Sequence, residues 1–106
     1  MSRVVELNTR NPLIGTWHDA EDISRVAFTF CAKGNEIAVS AIDTEDGEVL
    51  EIENVHWDGT KLSFSSTTKS TGRKAEHIFW MLDRERVKHQ FVIKDAEIWI
   101  RKKDSD

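Results

Sequence analysis

The chain has 106 residues, which is room for one domain and too few for a second independent core or a standard parallel barrel. Its 39% hydrophobic content excludes a wholly disordered chain, and the sequence has no run of about 20 apolar residues for a membrane helix. Nineteen acidic against fifteen basic residues give a net charge of −4, which argues against duplex binding, because that requires a basic face. We expect one domain over residues 1–106, with 1–11 as an N-terminal extension and 103–106 as a polar tail.

Cysteine usage and the N-terminus indicate the compartment. The single cysteine, Cys31, cannot form an intramolecular disulfide, and the first eleven residues lack the apolar segment of a signal peptide. Both features favour a cytoplasmic protein, because the cytoplasm is reducing. The one basic run, Arg101-Lys102-Lys103, is followed by Asp104 and Asp106, and we interpret it as a solubilising tail. We therefore expect neither a nucleic acid nor a membrane as a partner.

Apolar and polar residues alternate along the chain in short runs, which is the pattern of antiparallel strands. In chain order the runs cover residues 13–19, 24–31, 36–43, 49–57, 61–67, 74–83, 86–93 and 96–102. Turn signals separate them, including Asp46-Gly47 and Asp58-Gly59, which accept the positive φ of tight hairpins. Because such short connections force neighbouring strands to be antiparallel, the sequence predicts eight strands in up-and-down order.

The turns also predict the register, because each must place apolar residues opposite apolar residues. The expected pairs are Phe30 with Ile37, Ala41 with Ile52, His56 with Leu62, Trp80 with His89, Phe91 with Ile98, and His89 with Ile100. This register gives an inner face made of large apolar side chains: Trp17, Val26, Phe28, Phe30, Ile37, Val39, Leu50, Ile52, Leu62, Phe64, Ile78, Trp80, Leu82, Val87, Phe91, Ile93, Ile98 and Ile100.

A flat sheet would leave this inner face wet, and no predicted helix could cover it. Closing the sheet on itself buries the face and removes the exposed edges. We therefore predict an all-β fold, an antiparallel up-and-down β-barrel of about eight strands, with a sandwich of two sheets as the alternative. A barrel of this size is either filled by side chains or holds one small ligand.

Gly15-Thr16-Trp17, at the start of the first predicted strand, resembles the Gly-x-Trp motif of the lipocalin/calycin superfamily. The resemblance implies a calycin-like barrel whose base is closed by Gly15, Trp17 and a basic residue of the last strand, here Arg101. It also implies a small hydrophobic ligand. The chain departs from the superfamily in its shortness and in lacking the disulfide cysteines. It also has no tyrosine for the Arg-x-Tyr pair with which fatty-acid binders hold a carboxylate.

Several residues of the predicted inner face are candidates for lining a ligand site: Trp17, Phe28, Asn54, His56, Trp80, His89 and Phe91. An inward imidazole needs a polar partner, which is either structural or a ligand held in an apolar pocket. The four histidines show no metal-ligand spacing, so we expect no metal, and nothing in the sequence implies a cofactor.

The sequence carries no signature of catalysis. It has no glycine-rich phosphate loop, no Ser-His-Asp order and no nucleophile elbow. Glu51 and Glu53 fall on the predicted outer face, while Glu76 points inward at the rim. We therefore predict that the protein is not an enzyme. Turnover that is lost in His89→Ala or Glu76→Gln would contradict this.

The predicted outer face carries a contiguous apolar patch, formed by Phe79, Met81, Val92 and Trp99. Such patches are covered in stable proteins. Either the N-terminal residues Val4, Val5 and Leu7 fold back over it, or a second copy does. Because aromatic residues and methionine are enriched at interfaces, the pattern favours a homodimer.

Three hypotheses for the function follow from this reasoning. The leading hypothesis is a small cytoplasmic barrel that binds a small apolar or amphipathic ligand. The alternative is a barrel filled by its own side chains, which acts as a homodimerising or protein-interaction module without a ligand. An enzyme acting on a sequestered ligand ranks third.

Overall fold

A computed structural model describes residues 11–21, 25–94 and 99–102. These residues form antiparallel strands and no helix, which confirms the all-β prediction. The strands are β1 (Gly15–Trp17), β2 (Val26–Lys33), β3 (Glu36–Asp43), β4 (Glu51–Trp57), β5 (Lys61–Thr68), β6 (Arg73–Met81) and β7 (Val87–Lys94). The first seven predicted runs each overlap one of them. None of the described residues forms a helix that could cross a bilayer.

The strands form two sheets with strand orders β1-β2-β3 and β4-β5-β6-β7, so each strand lies beside its neighbour in sequence. One bridge, between Ile42 and Val49, links β3 to the start of the second sheet. Within the described ranges no ladder joins β7 to β1, so the sheets are not closed into a barrel there.

The predicted eighth strand is not observed in the part of it that the structure describes. Residues 99–102 lie outside any strand, and Trp99 and Ile100 are 85% and 87% exposed. Residues 96–98 of this run lie outside the described residues. So do the N-terminal residues Val4, Val5 and Leu7 and the tail 103–106.

The hairpin between β2 and β3 preserves the predicted faces with a different register. Phe30 lies opposite Val39 rather than Ile37, because the turn is Gly34-Asn35 rather than Lys33-Gly34. This moves the pairing by two residues. Since side chains alternate with a period of two, the inner face of both strands is unchanged. The junction of β3 and β4 differs in the same way, because Ala41 accepts a hydrogen bond from the amide of Leu50 rather than pairing with Ile52.

A β-bulge interrupts β4. Glu53 lies opposite Ser65 and His56 opposite Ser63, so Asn54 and Val55 together face one residue of β5. Asn54 takes the left-handed conformation, with φ of 57°, which asparagine tolerates better than most residues.

The bulge reverses the alternation of β4. As a result Trp57, opposite Leu62, packs against the core, while His56 is exposed. The predicted inward position of His56 is therefore wrong.

The connection between β6 and β7 overturns the predicted faces of β6. Phe79, not Trp80, lies opposite His89, and His77 lies opposite Phe91. This one-residue shift places His77 and Phe79 inside, with Ile78 and Trp80 on the opposite face and Leu82 exposed.

The cause of this shift is an odd-numbered loop, Asp83-Arg84-Glu85, in place of a two-residue turn. The Leu82 amide donates to the carbonyl of Arg86 across it, at 2.9 Å. Asp83 holds the loop, since its carboxylate accepts from the Glu85 amide at 2.9 Å and from Arg86 Nε at 2.7 Å.

The core lies between the two sheets and is filled by side chains. Its buried apolar residues are Leu13, Phe28, Phe30, Ile37, Ala41, Leu50, Leu62, Phe64 and Phe79. Phe79 makes edge contacts with Phe28 and Phe30 of the facing sheet, with ring centroids 5.3 and 5.1 Å apart. Phenylalanine rings thus occupy the space in which a barrel of this size would hold a ligand.

Candidate functional site

The residues predicted to line a ligand site do not converge on one place. Phe28 belongs to the core, and Trp17 packs against it from β1. Asn54 and His56 are exposed at the bulge of β4, and Trp80 lies on the outer face of β6.

Three of the candidates, Phe28, His89 and Phe91, do come together. His89 contacts Phe28 edge-on and stacks on Phe91, with centroids 5.7 and 4.9 Å apart. The register error on β6 and the bulge of β4 account for the misplaced residues.

The residues predicted to close the barrel are only partly assembled. Gly15 has φ of +139°, a conformation that residues with a side chain rarely adopt, and Trp17 lies two residues later. The Trp17 indole donates from Nε1 to the Leu13 carbonyl at 2.8 Å. Arg101 is exposed in the described segment 99–102, and it makes no cation–π contact with Trp17 there.

The predicted interface patch is divided between the core and the surface. Phe79 is only 3% exposed, and Met81 is half-buried against the core. These two residues face inward because of the shifted register of β6, so their predicted exposure is wrong. Val92 and Trp99 are exposed as predicted.

A chain of hydrogen bonds crosses the interior of the second sheet from Ser66 to His77 to His89. Ser66 Oγ lies 2.7 Å from Nε2 of His77, and Nδ1 of the same ring lies 2.8 Å from Nε2 of His89. β5, β6 and β7 each contribute one of these side chains, all from the face that carries the core. The sequence predicted an inward His89 that needs a polar partner, and the shifted register supplies His77 as that partner.

Aromatic rings enclose the two imidazoles. His77 stacks between Phe64 and His89, with centroids 4.9 and 5.0 Å away. His89 stacks in turn on Phe79 at 4.2 Å. Phe28, from the facing sheet, meets both imidazoles edge-on. The polar chain is therefore embedded in the apolar core.

This setting holds both imidazoles neutral at physiological pH. Burial lowers the pKa of His77 to about 4, with a contribution from the charge of His89. Burial likewise lowers the pKa of His89 to about 4, against a smaller opposing effect of Asp19. With two neutral rings, each hydrogen bond of the chain has one donor and one acceptor, so the chain is satisfied without a net charge.

A serine bonded to an imidazole is also the arrangement that activates a nucleophile, but access is missing here. Ser66 and His77 are 4% and 6% exposed, and a nucleophilic hydroxyl has to reach its substrate. A structural role fits this burial. Within the described ranges, no three His, Cys, Asp or Glu side chains are grouped so as to hold a metal ion.

A surface groove lies where the hairpins β4–β5 and β6–β7 meet the residues before β1. We call it the end groove. Its volume is about 430 Å³, and it is lined by Asn11, Pro12, Trp57, Gly59, Thr60, Trp80 and Met81. A smaller groove of about 210 Å³ lies beside it and shares Asn11 and Trp57 with it. Above the Trp80 ring, Lys61 Nζ lies 5.0 Å from the ring centroid.

The end groove gathers residues that sequence reasoning had placed apart. Trp57 faces it only because of the bulge in β4, and Pro12 belongs to a segment that carries no periodic signal.

Comparison with protein-family models, with curated proteins and with solved structures finds no match to this chain. The lipocalin/calycin resemblance therefore stays a prediction, carried by Gly15, Trp17 and the strand pattern.

Proposed function

We propose that this protein binds a small amphipathic molecule in the end groove rather than inside a barrel. The observation that carries the proposal is a groove of about 430 Å³ whose lining includes two tryptophans. Sites for small molecules have volumes of roughly 300–1,000 Å³ and combine apolar walls with a few polar groups. Trp57, Trp80, Pro12 and Met81 supply such walls, while Asn11 and Thr60 supply polar groups.

The charge beside the groove favours an acidic ligand. Lys61 places its ammonium group over Trp80, and this cation–π contact holds the charge beside an apolar wall. A ligand with a flat apolar part and a carboxylate or sulfonate could contact the tryptophans and the ammonium group together.

A pair of naphthalene dyes tests the proposal. The anionic probe is anilinonaphthalene sulfonate and the uncharged probe is N-phenylnaphthylamine, each titrated by fluorescence. We expect Trp57→Ala and Trp80→Ala to weaken both dyes about tenfold or more, because each removes a wall. Lys61→Met should weaken the anionic dye selectively, because it removes only a charge. The matched control is Trp99→Ala, an exposed tryptophan outside the groove. Unchanged dye affinity in both Trp57→Ala and Trp80→Ala would overturn the proposal.

We further propose that the protein is a cytoplasmic binder without turnover, and that a further strand beside β7 completes a calycin-like barrel. The burial of Ser66 and His77 supports the absence of catalysis, and the free, exposed Cys31 suits a reducing compartment. The inner face of β7 supports a further strand, because Phe91 and Ile93 are about half exposed beside an edge that no other described strand borders.

The filled core favours a second candidate function, a self-associating module. Four phenylalanines occupy the interior, which leaves the protein's surfaces to carry its interactions. The largest concentration of exposed apolar residues in one described strand is Phe91-Val92-Ile93 of β7, with exposures of 54%, 57% and 48%. A second copy of the chain would cover them.

A further inference from the structure

Trp80, one wall of the end groove, has a lysine on each side. In the register of the second sheet, Lys61 of β5 and Lys88 of β7 are the residues directly opposite Trp80. Side chains at opposite positions share one face of a sheet, with Cβ atoms about 4.5–5.5 Å apart. Lys61 Nζ lies 5.0 Å from the Trp80 ring centroid, and both lysines are exposed. We call Lys61, Trp80 and Lys88 the cationic row.

Two acids near the cationic row have other partners. The carboxylate of Asp58, in the turn before β5, accepts hydrogen bonds from two amides of its own turn at 2.8 and 2.6 Å. Glu76, on the same face of β6 as Trp80, forms a salt bridge with Lys94 at 3.0 Å. Within the described ranges, neither Lys61 nor Lys88 forms a salt bridge. The cationic row therefore presents two ammonium groups that no described carboxylate neutralises by direct contact.

The charges around the two grooves give a bound molecule a direction. None of the described residues that line the end groove is charged, and Glu36 is the one charged residue among those that line the smaller groove beside it. An anionic group is therefore repelled at Glu36 and attracted toward Trp80, which lines the end groove alone. The apolar part of the molecule then lies against Trp57 and Trp80, whose indoles favour a flat ring.

We propose that the end groove binds a small planar aromatic molecule that carries a phosphate monoester, with the phosphate held between Lys61 and Lys88. The inference rests on the proposed function and deepens it, because it names the charge and the chemical class of the ligand. A phosphate monoester carries close to two negative charges at neutral pH, whereas a carboxylate or a sulfonate carries one. Two ammonium groups match the dianion, so Lys88 is the residue that discriminates between a dianion and a monoanion.

Competition among three naphthalenes with the same ring system tests the proposal. At about pH 7.5, 1-naphthyl phosphate, 1-naphthalenesulfonate and uncharged 1-naphthol each displace N-phenylnaphthylamine from the protein, followed by fluorescence. We expect the phosphate to bind about two to five times more tightly than the sulfonate, the range that one exposed ion pair contributes. Lys88→Met should lower this ratio toward one and leave the affinity for 1-naphthol unchanged.

Lys74→Met is the matched control. Lys74 is exposed on the same face of β6 as Trp80, but it lies six residues away along the strand, and its substitution removes the same charge. The ratio of phosphate to sulfonate affinity should therefore keep its natural value in this variant.

An unchanged ratio in Lys88→Met, or an equal fall in Lys74→Met, would overturn the inference. A phosphate that binds no more tightly than the sulfonate would do the same. So would inorganic phosphate that displaces the dye as well as 1-naphthyl phosphate does, because the ring would then contribute nothing. Failure of the proposed function looks different: Trp57→Ala and Trp80→Ala would bind 1-naphthol as the natural chain does, or 1-naphthol would not displace the dye at all.

Discussion

Nδ1 of His77 lies 2.8 Å from Nε2 of His89, inside a stack of phenylalanine rings. The two imidazoles therefore share one proton between facing nitrogens, and two cationic rings at this distance would repel each other in a medium of low dielectric constant. Ser66 completes the chain at the other nitrogen of His77. Stability, rather than catalysis, is the property that this pair should control.

The first prediction is acid destabilisation below neutral pH. Both imidazoles have a pKa of about 4 in the folded state, below the ordinary value of 6.5, so the unfolded chain binds more protons in this window. The free energy of unfolding should be constant above pH 6.5 and fall as the pH drops from 6.5 to 4. A loss of about 1–3 kcal/mol is expected, after discounting for the water that reaches His89. Urea unfolding at successive pH values measures it.

A matched variant shows whether this pH dependence comes from the buried pair. His56 is exposed at the bulge of β4, so His56→Gln should leave the pH dependence intact. His89→Phe should reduce it, since one buried titrating ring is gone and the stack on Phe79 is kept. Equal free energies of unfolding at pH 5 and pH 7 in the natural chain would contradict the prediction.

The second prediction concerns the hydroxyl of Ser66. Ser66→Ala leaves Nε2 of the buried His77 without its partner, and an unsatisfied buried polar group costs roughly 1–3 kcal/mol. Ser65→Ala, one residue away on the opposite face of β5, should cost less than about 0.5 kcal/mol. Chemical denaturation of the two variants compares them directly. Equal midpoints and equal slopes would show that the hydrogen bond contributes nothing to stability.

The third prediction concerns the bulge residue Asn54. Its φ of 57° is costly for a β-branched side chain, so Asn54→Val should destabilise the fold by about 1–2 kcal/mol. Asn54→Gly should be tolerated, because glycine takes this conformation freely. Glu53→Val, at the neighbouring exposed position, is the control for valine in the strand. In thermal unfolding, Asn54→Val should have the lowest melting temperature of the three variants. A lower melting temperature in either of the other two would contradict the strained backbone at Asn54.

The fourth prediction separates the core from the surface on β6 and β7. Phe79→Ala should cost about 3–5 kcal/mol, because it empties the contact between the sheets that Phe79 makes with Phe28 and Phe30. Val92→Ala, at an exposed position of β7, should cost less than 1 kcal/mol. Differential scanning calorimetry of both variants decides it. Comparable losses of stability in the two variants would contradict the buried position of Phe79 and favour the outward position that the sequence predicted.

The sequence predicted the strands well and their faces unevenly, for one physical reason. Alternation is local, so each run could be found from its own residues. A face, however, depends on the number of residues between two strands. The Gly34-Asn35 turn moved the pairing by an even number and left Phe28 and Phe30 inside. The Asp83-Arg84-Glu85 loop moved the pairing by one residue, so that Phe79 rather than Trp80 faces the core.

The candidate site was predictable only in part. An inward His89 in need of a partner was foreseen, but His77 and Ser66 were not, because both depend on the register of β6. The end groove escaped prediction because it joins Asn11 and Pro12 to hairpin ends more than forty residues away. Contacts of that separation leave no periodic signal in a single sequence.

The loop held by Asp83 makes β7 more sensitive to insertion than to substitution. If one residue added between Leu82 and Arg86 moved the pairing by one, Lys88 and Gln90 would turn toward the phenylalanines and His89 would turn into water. Two added residues would lengthen the loop and leave both faces as they are. Residues inserted at this hairpin should therefore be tolerated only where a longer loop takes them up and the pairing of β6 with β7 is kept.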